Sequence, residues 1–275
     1  MHPILFSLDQ FTIHSFGACL AIAILACYFT MVRLAKSMGH GPDFVSSILT
    51  VLIVSGLIGA RLFYVFENWP YYSKHPASII KVQEGGLVFY GGFILGTLAL
   101  IGFSLVKKVR ILDVLDLVAT AVPLGHAIGR VGCFLNGCCY GRDSNACIAV
   151  TFPRGSIPWN DQLAKKMITL AADRSLPVLP SQLFETVLNL VVFGVMLLLF
   201  RRRRRRPGFL AAAYATLYAV VRFAVEFTRG DPRLHVGPLS IGQLISLVIF
   251  IGGLAATLAL ARKSKLETGN LVAPN

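Results

Sequence analysis

Arginine residues recur in this chain where a charged side chain is costly. Arg222, Glu226 and Arg229 are spaced i, i+4 and i+7, which puts one carboxylate between two guanidiniums on one face of a helix. Arg61 and Arg130 lie in equally apolar stretches. An exposed ion pair contributes only roughly 0.3–0.5 kcal/mol, too little to explain these charges as stabilisation. Guanidinium groups match phosphate oxygens bidentately, so the pattern predicts a bound phosphate-bearing lipid or anion, with simple anchoring to lipid phosphates as the alternative.

Cysteines form a second group of candidate residues. Two of the six lie in the first apolar stretch, where a free cysteine is typically a small buried hydrophobe. The others are Cys133, Cys138, Cys139 and Cys147. In an oxidising compartment one or two disulfides bracing this segment is the favoured interpretation, and a redox relay is an alternative. The spacing C-x4-C-C-x7-C lacks the paired C-x2-C of zinc sites and only His126 is nearby, so a zinc site is the weaker alternative and we predict no metal ligands.

A membrane domain must position these residues. The chain has 275 residues, of which 55% are hydrophobic and 14% charged, against about 25% charged in soluble domains. A hydrocarbon layer of about 30 Å needs roughly 20 apolar residues per helix. We predict an all-α polytopic fold over 1–275, a single integral membrane domain. Its seven predicted spans are 14–34, 46–66, 87–106, 112–130, 183–200, 208–226 and 239–261. The fourth is the least apolar, since it contains Asp113, Asp116 and His126, so neighbouring helices must shield it from lipid.

Lysine and arginine in the short loops predict the orientation. The positive-inside rule places the N-terminus outside and the C-terminus in the cytoplasm, with Arg61, Arg130 and Arg222 towards the outer leaflet. The run 201–206 of six arginines is then a cytoplasmic stop signal that binds anionic membrane lipid, and no nucleic acid partner is expected. Residues 142–181 would form a small periplasmic head between spans four and five, which contacts a protein substrate.

Three segments of the chain, in order, resemble those of the bacterial prolipoprotein diacylglyceryl transferases. The family signature G-R-x-G-N-F-x-N-x-E-x-x-G resembles residues 129–141, including Arg130, Asn136 and Gly141. Residues 84–96, which contain Tyr90, Gly91 and Gly92, resemble the segment G-G-x-x-x-H-G-G. Residues 222–243 are similar to the helix R-x-x-x-E-x-x-R and the S-x-G-Q start of the last span, and residues 59–61 to the family's G-G-R.

This resemblance implies a reaction and roles for residues. The family transfers the diacylglyceryl group of phosphatidylglycerol to the lipobox cysteine thiol of a preprolipoprotein, in the bacterial cytoplasmic (inner) membrane with the active site on the periplasmic side, and no cofactor is implied. Arg130 and Arg222 would bind the lipid phosphate, Glu226 and Arg229 would position them, and Asn136 would shape the headgroup pocket. The other implied substrate-binding residues are Gly141, Gly91, Gly92, Arg61, His126 and Asp116. Arg61 and Asp116 have an equally good interpretation as polar residues that stabilise the helix bundle.

The chain departs from the family pattern at the positions that matter for proton transfer. Tyr90 replaces the usual histidine, and Cys133 and Cys138 replace an asparagine and a glutamate. Tyrosine, with an ordinary pKa of about 10, is a poor base at neutral pH. The candidate proton acceptors are therefore Tyr90, Glu226 and His126. Two other functions stay open, a carrier or binding protein for anionic lipid and a membrane thiol oxidoreductase that uses the cysteines.

Overall fold

Long apolar helices dominate the protein, described here from a computed structural model over residues 4–8, 11–82, 85–203 and 206–269. Within this part, seven helices are long and apolar enough to cross a membrane, as predicted. The helices are α1 Ser15–Lys36, α2 Pro42–Glu67, α3 Trp69–Tyr72, α4 Phe89–Val106, α5 Ile111–Asn136, α6 Ile157–Ala164, α7 Ser181–Arg203, α8 Phe209–Glu226 and α9 Ile241–Gly269. A 3-10 helix covers Pro76–Ile80. The protein is therefore a multi-pass membrane protein.

Two short antiparallel hairpins accompany the helices, and the sequence did not predict them. Strands β1 Ile4–Leu8 and β2 Phe11–His14 pair directly before α1. Strands β3 His235–Val236 and β4 Leu239–Ser240 pair directly before α9. The β3–β4 hairpin folds the chain back after α8, so that the start of α9 meets the end of that helix.

The fourth predicted span, α5, is confirmed as a long helix despite its polar residues. Buried residues make up 44% of its most apolar window, compared with 11% for α9. Asp116 is only 4% exposed. Protein rather than lipid surrounds these polar groups, which is the condition under which a charge-bearing span is tolerated.

Residues 30–117 form one compact unit. In it, α2 and α4 approach until their backbones touch. A Cβ atom added to Gly59 would lie 2.3 Å from the Gly91 carbonyl oxygen, and one added to Gly91 would lie 2.3 Å from that of Gly59. A Cβ atom on Gly92 would lie 2.8 Å from the Gly56 carbonyl oxygen. These glycines are needed because only hydrogen fits between the two helices.

Residues 1–29 and 118–275 form the second unit, in which α8 packs between α7 and α9. Small residues also allow α1 to approach α5, since Cβ atoms on Gly125 and Gly132 would lie within 3 Å of Cys27 and Cys19 respectively. Both cysteines are thus small packing residues, as predicted. Between α5 and α7, residues 137–180 carry α6 and a small core of Tyr140, Phe152 and Val178.

Candidate functional site

Helices α5, α7 and α8 of the second unit, with the turn that follows α8, carry a cluster of guanidiniums and carboxylates, which we call the arginine cluster. Its ion pairs link four arginines to three acidic residues, so that one net positive charge remains. The members are Arg130, Arg222, Arg229, Arg233, Glu185, Glu226 and Asp231. An excess of one cation is what a bound monoanionic phosphate diester would neutralise.

Glu185 on α7 holds the α5 part of the cluster. Its side chain is 1% exposed, and its Oε1 lies 2.9 Å from Nη2 of Arg130 and 3.1 Å from Nε2 of His126. The same carboxylate interacts electrostatically with Arg222. Glu185 therefore holds the Arg130 guanidinium by direct contact, while its charge also acts on Arg222.

His126 lies one helical turn from Arg130, and its Nε2 atom contacts both Arg130 and Glu185. This nitrogen cannot accept a hydrogen bond from Arg130 and donate one to Glu185 at the same time. The Arg130 Nε–H donates to His126 Nε2 at 3.2 Å, which requires a lone pair there. Donation from His126 to Glu185 would instead require a proton on the same nitrogen. In either tautomer Nε2 faces the Arg130–Glu185 pair, so this nitrogen is occupied within the cluster.

Glu226 holds the second part of the cluster. One of its oxygens lies 2.6 Å from Arg222 Nη1, and Arg233 Nη1 donates to both oxygens at 2.7 Å. The Ser240 hydroxyl donates a further bond to Oε1 at 2.5 Å. Gly242 leaves the space for this arrangement, because a Cβ atom there would lie 3.1 Å from both the Arg222 and Glu226 side chains.

Ser240 is also the N-cap residue of α9, which begins at Ile241. Its hydroxyl accepts the Gln243 backbone N–H at 3.2 Å, and the Gln243 side chain accepts the Ser240 N–H at 3.0 Å. The S-x-G-Q segment thus forms a reciprocal capping box at the start of this helix. The cap of one helix therefore fixes the carboxylate at the end of another.

Arg229 does not pair with Glu226, which corrects the sequence prediction. Helix α8 ends at Glu226, so the i, i+4, i+7 spacing does not continue to Arg229. Arg229 instead donates two bonds to Asp231 at 2.9 and 3.0 Å, and Arg233 takes its predicted place on Glu226. Burial disfavours the charged form of Asp231, but the hydrogen bonds and charges of Arg229 and Arg233 outweigh it and lower the pKa of this carboxyl.

Gly141 and Asn136 lie at the junction between the cluster and the preceding loop. Gly141 pairs with the backbone of Arg229 and donates its N–H to the Leu179 carbonyl at 2.9 Å. A Cβ atom on Gly141 would lie 2.4 Å from that carbonyl oxygen. Gly141 thus allows close packing of the loop, while Asn136 ends α5 and lines a cavity beside Phe152.

The remaining predicted site residues belong to the unit of residues 30–117. Arg61 is 5% exposed and donates five hydrogen bonds, all to backbone carbonyls of residues 78–86. All five of its N–H donors are therefore occupied, which agrees with its interpretation as a structural residue. Gly91 and Gly92 lie against α2, and Asp116 is buried. Tyr90 is 57% exposed at the start of α4. Residues 83 and 84, at the start of the matched family segment, lie outside the described residues.

Sequence reasoning missed Glu185, Arg233 and Asp231. Glu185 had a usable signal, because it is the single acidic residue in the predicted span 183–200 and a carboxylate inside a span is rare without a function. Arg233 and Asp231 had none, since they lie in a turn whose path only the folded chain defines.

Comparison with known proteins identifies the family. A family model described as prolipoprotein diacylglyceryl transferase matches residues 3–259. The chain belongs to this family. Phosphatidylglycerol–prolipoprotein diacylglyceryl transferase 2 of Clostridium perfringens is 30% identical over 257 residues, which are 94% of each chain. The transferase of Clostridioides difficile is 33% identical over 265 residues, 96% of this chain and 98% of the relative. That of Acaryochloris marina is 33% identical over 269 residues, 97% and 94% respectively. The chain is therefore a membrane transferase of this family.

Proposed function

We propose that this protein transfers the diacylglyceryl group of phosphatidylglycerol to the lipobox cysteine thiol of a preprolipoprotein. The reaction would take place in the bacterial inner membrane, on its periplasmic side. Family membership supports the reaction, and the single structural observation that carries it is the arginine cluster with its one excess positive charge.

The bond changes define what the cluster must do. The thiol loses its proton, its sulfur forms a bond to the glycerol carbon that carries the phosphate, and the C–O bond to that phosphate breaks. Glycerol phosphate leaves with the electron pair. Negative charge therefore grows on a phosphate oxygen in the transition state, and guanidiniums already held in place stabilise it without reorganisation. Arg130 and Arg222 fit this role because Glu185 and Glu226 fix them.

Substitution of the two arginines tests the proposal. Arg130→Ala and Arg222→Ala should each lower the rate of transfer from labelled phosphatidylglycerol to a lipobox peptide by at least about 10²-fold, the loss typical of one oriented donor. Arg110→Ala, at an exposed arginine in the short loop before α5, is the matched control. Near-normal turnover in both cluster variants would refute their assigned roles. Lipid binding without any release of glycerol phosphate would instead favour the anionic-lipid carrier.

We propose Tyr90 as the proton acceptor among the three candidates, acting as the phenolate, since a neutral phenol already carries its own proton. Both oxygens of Glu226 already accept hydrogen bonds, and Nε2 of His126 faces the Arg130–Glu185 pair. The Tyr90 side chain is exposed and stands where the family pattern has histidine. Tyr90→Phe should abolish transfer at neutral pH, whereas Tyr90→His should retain it. Full activity of Tyr90→Phe would exclude this role.

A further inference from the structure

Three cysteine thiols converge where α5 ends. The sulfur atoms of Cys133, Cys138 and Cys139 all lie within 4.8 Å of one another, and each residue is partly buried. All six cysteines of the chain are free thiols in the structure, so the predicted disulfides are not formed here. Cys147, the fourth cysteine of the segment, is exposed.

The first two thiols meet because of the way the helix ends. Gly137 has a φ of +78°, its N–H donates to the Phe134 carbonyl at 3.2 Å, and the Cys138 N–H donates to the Cys133 carbonyl at 3.1 Å. This bonding pattern is the Schellman motif, in which the residue after the glycine packs its side chain against the third residue from the helix end. Those two positions are Cys138 and Cys133.

The third thiol is brought in by an unfavourable backbone conformation. Cys139 has a φ of +59°, in the left-handed region that is unfavourable for a residue with a Cβ atom. Such strain persists where surrounding contacts impose it, often at functional sites. Here the Gln182 side chain donates to the Cys138 carbonyl at 2.7 Å, and Gly141 is bonded to Leu179.

We propose that Cys133, Cys138 and Cys139 bind one thiophilic metal ion, for which Zn²⁺ is the test case. At a Zn–S distance of about 2.3 Å, three sulfurs around one tetrahedral ion lie about 3.8 Å apart, and the three sulfurs here lie within 4.8 Å of one another. Each thiol loses its proton to solvent on binding, and the fourth coordination position is left for water.

The charges around the cluster favour this occupant. Arg229 interacts electrostatically with Cys139, and Arg130 with both Cys133 and Cys139. A disulfide would use only two of the three sulfurs and leave no reason for the strained position of the third.

Zinc titration of the full chain tests this proposal. The protein is purified in detergent with a reductant, stripped with a chelator and titrated with Zn²⁺ against a chromophoric chelator. We expect one zinc per chain in the unmodified protein and in Cys147→Ser, and loss of that zinc in the triple serine variant at positions 133, 138 and 139. Retention of the zinc by the triple variant would overturn the assignment.

Thiol alkylation of the unmodified chain gives an answer that does not depend on the folding of the triple variant. Zinc should protect Cys133, Cys138 and Cys139 from iodoacetamide while Cys147 reacts as before, read by mass spectrometry of peptides. Unchanged alkylation of the three, or a disulfide between two of them that forms with zinc present, would overturn the proposal. Neither measurement uses lipid, so failure here is independent of the proposed transfer reaction.

Discussion

Substitution of Glu226 by glutamine tests whether this carboxylate holds the lipid-binding arginines in place. The Glu226 side chain is 4% exposed and lies between Arg222 and Arg233, which are 17% and 20% exposed. Glutamine has nearly the same shape but no charge, and its NH₂ group cannot accept a bond from a guanidinium. Two like charges would then face a neutral group, and Arg222 would lose its fixed position.

The structure sets the expected size of the effect. Removing one partner of a buried ion pair costs about 3–5 kcal/mol of folding free energy. Because both arginines keep some contact with solvent and can turn outwards, we expect the lower end, about 3 kcal/mol. A misplaced Arg222 should also lower the transfer rate about 10²-fold, as displacement of a catalytic group by about 1 Å does.

The assay compares three variants in detergent. Thermal unfolding and transfer from labelled phosphatidylglycerol to a lipobox peptide are measured for Glu226→Gln, Glu226→Asp and Glu67→Gln. Glu67, exposed at the end of α2, provides the same chemical change outside the cluster. Glu226→Asp keeps the charge but has a shorter side chain. Relative to Glu226→Gln, its loss of thermal stability should therefore be smaller than its loss of transfer rate. Rates of Glu226→Gln indistinguishable from those of Glu67→Gln would refute the positioning role.

Three further predictions follow from single contacts. Gly59→Ala should separate α2 from α4 and lower thermal stability, whereas Gly96→Ala should have little effect, because its added Cβ atom would meet neighbours only at 3.8 Å or more. Gly141→Ala should break the loop packing and reduce transfer, measured as above, since the added atom would clash with a carbonyl oxygen at 2.4 Å. Because Arg229 lowers the pKa of Asp231, that pair stabilises the protein above the unfolded pKa of about 3.9 and loses its contribution as pH falls through the lower folded value. Asp231→Asn should therefore be less stable than the parent at pH 5, with a smaller further loss below pH 4 in acid unfolding; equal acid sensitivity would contradict this.

The membrane helices show how much of the fold the sequence could predict. Long apolar runs were sufficient for all seven membrane helices, because a span must satisfy its own backbone hydrogen bonds whatever its neighbours are. The start of α9 was also readable, since a capping box depends on residues three apart. The two short hairpins were not, because their pairing depends on turns that carry no apolar pattern.

In the candidate site, too, the sequence could predict some residues but not their partners. Arg130, Arg222 and Glu226 could be chosen from the sequence because a charge in an apolar helix is costly wherever it lies. Their partners could not, and the predicted Glu226–Arg229 pair failed because α8 ends one turn too early. Arg61 shows the converse, since only the folded chain reveals that carbonyls of residues 78–81 and 85–86 use all its donors.

The sequence by itself therefore determined the membrane helices and the family, because hydrophobic length and local motifs act over a few consecutive residues. Only the tertiary structure decided which carboxylate holds which arginine, and which of four cysteines lie together. Those choices depend on where helices end and on how the intervening loops return, and contacts between residues distant in the chain set both.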